Sequence, residues 1–153
     1  MKTNDFSNHS LRKQNIEYFI HVVRVAKADD EITDSEMNLL HQLGRKMGYT
    51  DPEIDTLILT TNKSDYIPPY ELEQRFEQLY GIVKMTLADG VIDKNEMCIA
   101  SSFAVKSGFS ENEIPRLLVL LISGIKQGDD EEDLFAVYRK QAKSFQENVI
   151  HAI

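Results

Sequence analysis

One turn of nine residues appears twice in this chain, with the copies 60 positions apart. Ala28-Asp29-Asp30-Glu31-Ile32-Thr33-Asp34-Ser35-Glu36 returns as Ala88-Asp89-Gly90-Val91-Ile92-Asp93-Lys94-Asn95-Glu96. The alignment extends without a gap from 16–58 onto 76–118, and 12 of those 43 positions are identical. A chain that repeats a unit of this size in register is built from two equivalent halves. Within each unit the apolar residues follow a helical period. Ile16, Phe19, Ile20 and Val23 recur at i, i+3, i+4 and i+7, as do Phe76, Leu79, Tyr80 and Val83.

The helix boundaries are written in the same repeat. Thr33 and Asp93 stand at N-cap positions with Glu36 and Glu96 three residues later, the spacing of a capping box. Ile32 and Ile92 precede those caps as staples for Met37 and Met97. Thr50 with Glu53, and Ser110 with Glu113, predict a second pair of boxes, stapled by Tyr49 and Phe109. Gly48 and Gly108 close the preceding helices, where a left-handed backbone is required. Further helices are predicted near 52–60 and 111–123, and Pro68-Pro69 precedes the start of the second unit's first helix. The oily run Leu117–Ile122 predicts a helix at the middle of the bundle. The reading is an all-α single domain of about seven helices. Its first repeat spans 16–58, its second 76–118, and a C-terminal helix covers about 130–151.

Composition narrows the partners. The net charge of −8, with basic residues scattered as doublets, argues against nucleic acid. No apolar run approaches the ~20 residues that cross a bilayer, and Met1–Asp5 lack the apolar stretch of a signal peptide. With its single Cys98, predicted to be a buried thiol, the chain suits a reducing, cytoplasmic setting. The four histidines show no zinc-hydrolase spacing, and no phosphate-binding glycine loop is present; the expectation is a protein that is not an enzyme.

Two readings of the acidic turns stand open. Asp89–Glu96 match the last eight places of an EF-hand loop, but Met85 and Leu87 hold the places of its first two carboxylates. A weaker divalent-cation site, completed by the acidic segment 129–133, is one reading. Helix capping with a local Asx turn at Asp89 is the other, and 129–133 are then acids favoured by the N-terminal dipole of the last helix. If a cation binds, the second turn is expected to hold it better, because Lys27, Asp30 and Thr33 weaken the first.

Paired Ala-Asp-(Asp/Gly)-x-Ile-x-x-x-Glu turns, each followed by Gly-aromatic-(Thr/Ser)-x-x-Glu-Ile, resemble the TerB family of tellurite-resistance proteins over residues 16–150. The resemblance implies an all-helical fold of two pseudo-symmetric halves, with acidic clusters that hold a divalent cation. By position those acids are Asp29, Glu36, Asp89, Asp93 and Glu96. It also implies work by protein contacts within a stress-linked assembly. Similar domains occur beside J-domains in co-chaperones, which keeps open the alternative of a regulatory interaction domain with no metal function.

Overall fold

The computed structural model describes residues 16–27, 32–61 and 66–152, with side chains described as far as Lys143. The described residues form seven helices and no strand. They are α1 (16–27), α2 (Asp34–Lys46), α3 (Asp51–Thr60), α4 (Leu72–Thr86), α5 (Lys94–Lys106), α6 (Ile114–Gln127) and α7 (Glu131–Ala152). Both ends of α2 and α5 keep the 60-residue offset of the sequence repeat.

Local signals account for most boundaries. Reciprocal capping boxes start α2 at Thr33/Glu36, α3 at Thr50/Glu53 and α5 at Asp93/Glu96. Gly48 and Gly108 have φ of 90° and 93°. The amides that follow complete Schellman closures, Tyr49 N–H to Gly44 C=O at 3.1 Å and Phe109 N–H to Ala104 C=O at 3.1 Å.

The fourth expected box is only half made. Glu113 accepts from the Ser110 amide at 3.3 Å, but α6 starts at Ile114 after a separate turn over 111–113. Pro115 explains the delay, because its ring would clash with the carbonyl four residues back, at Glu111, if a regular helix ran through it. Pro52 likewise sits in the first turn of α3. Pro68 and Pro69 lie in the irregular segment ahead of α4, whose N-cap is Glu71.

The central helix is α4, not α6. It packs on α2, α5, α6 and α7 and buries Phe76, Leu79, Ile82, Val83 and Met85. The run in α6 buries Leu117, Leu118 and Leu121 but leaves Val119 60% exposed, so α6 is an amphipathic wall. Glycines permit several of these crossings: Ile54 of α3 lies over Gly44, Tyr18 of α1 over Gly81, and Leu134 of α7 over Gly124. Phe76 meets Phe135 and Tyr138 of α7 at ring separations of 5.1 and 5.5 Å, which fixes the last helix to the hub.

Candidate functional site

The second acidic turn follows α4 and closes around a lysine from the other half of the molecule. Lys46, in the last turn of α2, sends its ammonium to Thr86 C=O at 2.8 Å, Val91 C=O at 2.8 Å and Glu96 Oε1 at 2.7 Å. Asp89 Oδ1 lies 3.2 Å away as a fourth oxygen. Three N–H donors thus meet three good acceptors, the full capacity of a lysine. The Lys46 side chain is 11% exposed and that of Glu96 1%. Burial alone would lower the Lys46 pKa, but the hydrogen bonds to Glu96 and Asp89 outweigh it and hold the ammonium above the ordinary lysine value.

The surrounding acids are tied down by backbone. Asp89 accepts from the Val91 amide at 3.0 Å, an Asx turn about Gly90, whose φ is 83°. That bond, followed by the one from Lys46, keeps its carboxyl below the usual aspartate range. Asp93 accepts from the Glu96 amide at 2.8 Å and from Gln42 of α2, and in that order these lower its pKa. Glu96 Oε1 also accepts from the Asp93 amide at 3.1 Å, while its buried Oε2 has no hydrogen-bond partner.

This cradle has the spacing of an ammonium, not of a metal. Calcium takes ~6–8 oxygens at ~2.3–2.6 Å, whereas the turn offers four oxygens at 2.7–3.2 Å from the Lys46 nitrogen. With Lys46 seated, the turn does not fit a divalent ion. Among the described residues no group of three or more His, Cys, Asp or Glu is arranged to hold one.

The acids at 129–133 serve elsewhere. Asp130 Oδ1 accepts from the Asp133 amide at 2.9 Å at the start of α7. Glu131, raised by burial first, is raised further by Glu73 and Glu77 on the first turns of α4. The acidic turn follows the opposite end of α4, ~15–20 Å away at 1.5 Å per residue.

Of the first turn, Asp29 and Asp30 lie outside the described residues. Glu36 is engaged as a cap, with its Oε1 2.9 Å from the Thr33 hydroxyl. Lys27 donates to Thr61 C=O at 2.6 Å, covering the C-terminal end of α3.

Lys46 and Gln42 were missed in the sequence because they lie 50 and 51 residues from their partners in the turn. One signal was available: Lys46 and Lys106 are among the identical pairs of the repeat.

A groove of about 310 Å³ runs between α1, α2 and α5. Its walls are largely apolar, including Val22, Leu39, Ile99 and Phe103, and among the described residues its one charged liner is Glu36. Cys98 lines it too. The cysteine is exposed, correcting the expectation of a buried thiol: α5 buries Ala100 and Ala104 on its far side, and Cys98 opens onto the groove.

Comparison with protein-family models, with curated proteins and with solved structures finds no match to this chain. Among the described residues no helix is long and apolar enough to cross a membrane.

Proposed function

We propose that this protein is a non-enzymatic interaction module of the TerB-like type, whose second acidic turn is neutralised by its own Lys46 instead of by a divalent cation. The Lys46 ammonium, held by three acceptors and an ion pair, carries the choice of the metal-free reading. The groove between α1, α2 and α5 supports docking as the activity. Its apolar walls, Glu36 on its lining and a net charge of −8 suit a partner helix that is apolar on one face and basic at its edge.

Two measurements test the reading. Calorimetric titration with Ca²⁺, Mg²⁺ and Zn²⁺ is expected to give no saturable heat. Saturable binding that Asp89→Asn removes would overturn the metal-free part. A photo-crosslinker attached to Cys98, the single cysteine, is expected to label a discrete partner, and Leu39→Lys should abolish the product. Labelling that persists unchanged in that variant would rule out the groove as the docking face.

A further inference from the structure

His41 sits on α2 with a carboxylate at each ring nitrogen. Its Nδ1 lies 2.8 Å from Asp51 Oδ1 and its Nε2 2.7 Å from Asp55 Oδ1, both on α3. An ionised carboxylate only accepts, and a neutral imidazole has one N–H, so only the imidazolium makes both contacts as hydrogen bonds. The ring is 14% exposed, while the two acids are 51% and 64% exposed. Water therefore reaches the acids more readily than it reaches the ring.

The pair joins two helices that follow each other in the first half of the molecule. Among α2–α7, α3 packs on α2, and Lys27 of α1 bonds the carbonyl of Thr61 at its C-terminal end. The repeat places Ser101 opposite His41 and Pro115 opposite Asp55, so the second copy has no such arrangement. We propose that His41 is a proton-operated clamp: as the imidazolium it ties α3 to α2 through Asp51 and Asp55, and its deprotonation loosens α3.

The charged groups around the ring are few. Asp51 and Asp55 face it from α3, and Arg45, one turn along α2, donates to Asp51 at 2.9 Å. Gln42 and Lys46 point about 100° and about 140° further round α2, where Lys46 closes on Asp89 and Glu96. The hydrogen bond to Asp51 raises the His41 pKa; burial opposes it, and the bond to Asp55 adds to the rise. A group raised on folding stabilises below its unfolded value, here about 6.5, and loses that contribution as pH climbs through the folded value. Asp51 is lowered, by Arg45 first and His41 second, so its arm of the clamp is kept until pH falls through that depressed value. The clamp thus holds at mildly acidic pH and opens as pH climbs through the raised histidine value.

NMR on the full chain tests this. The His41 ring signal should titrate with a midpoint above 6.5. Over the same range the protection of the α3 amides against hydrogen exchange should fall tenfold for each unit of that elevation, while amides in α4 stay protected. In His41→Gln the protection of α3 should lose this pH dependence. A midpoint at or below 6.5, α3 protection flat with pH in the parent protein, or the same fall in His41→Gln would each overturn the clamp.

Discussion

Replacing Lys46 by methionine is expected to destabilise the protein by ~3–5 kcal/mol, the cost of leaving one partner of a buried ion pair without the other. Methionine keeps much of the apolar stem but supplies no charge to Glu96, which is fully buried and has one oxygen without a partner already. The carbonyls of Thr86 and Val91 lose a donor in the same stroke. Combining Lys46→Met with Glu96→Gln should recover more than half of the loss. The buried charge is then gone, and glutamine can still accept from the Asp93 amide in the capping box. Urea unfolding of the two single variants and the double variant measures this. A loss below about 1 kcal/mol for Lys46→Met, the level of an exposed pair, would mean that the lysine is not the cation of the turn.

A second large loss is expected from Gly124→Ala, in spite of the gain in helix propensity. Alanine inside a helix is favoured over glycine by ~1 kcal/mol. At Gly124 the new methyl would stand 2.2 Å from Leu134 Cδ2, 2.8 Å from Cδ1 and 3.0 Å from Cγ. The whole Leu134 side chain must shift, and at 2% exposure it has no solvent to shift into. Overpacking of this kind costs ~1–3 kcal/mol, and the enclosed site belongs at the upper end, for a net loss of ~1–2 kcal/mol. Gly81 offers the contrast. A methyl there meets the far edge of the Tyr18 ring at 2.2 Å, but Tyr18 is only partly buried and can swing outward. Thermal melts should therefore rank Gly124→Ala below Gly81→Ala. The reverse order would place the tighter crossing between α1 and α4.

What the sequence by itself determined lies within a turn or two of the chain. The boxes at Thr33, Thr50 and Asp93 and the glycine closures at Gly48 and Gly108 all follow from hydrogen bonds between residues three to five apart. Such bonds depend on side-chain type at fixed spacing, so spacing reveals them. The half-made box at Ser110 marks the edge of that logic, since the spacing was right and Pro115 delayed the helix.

Only the tertiary structure decided what fills the second acidic turn. Asp89, Asp93 and Glu96 could be read as cation ligands from their spacing, but the cation is the ammonium of Lys46, brought across by the packing of α2 on α4 and α5. The same holds for α4 as the hub, for Cys98 on an open groove, and for the pairing of His41 with two aspartates of α3. Helix crossings set these contacts, and a crossing depends on surface shape along both helices, including the absence of a side chain at Gly44, Gly81 and Gly124. No local pattern encodes where a long side chain ends once two helices meet.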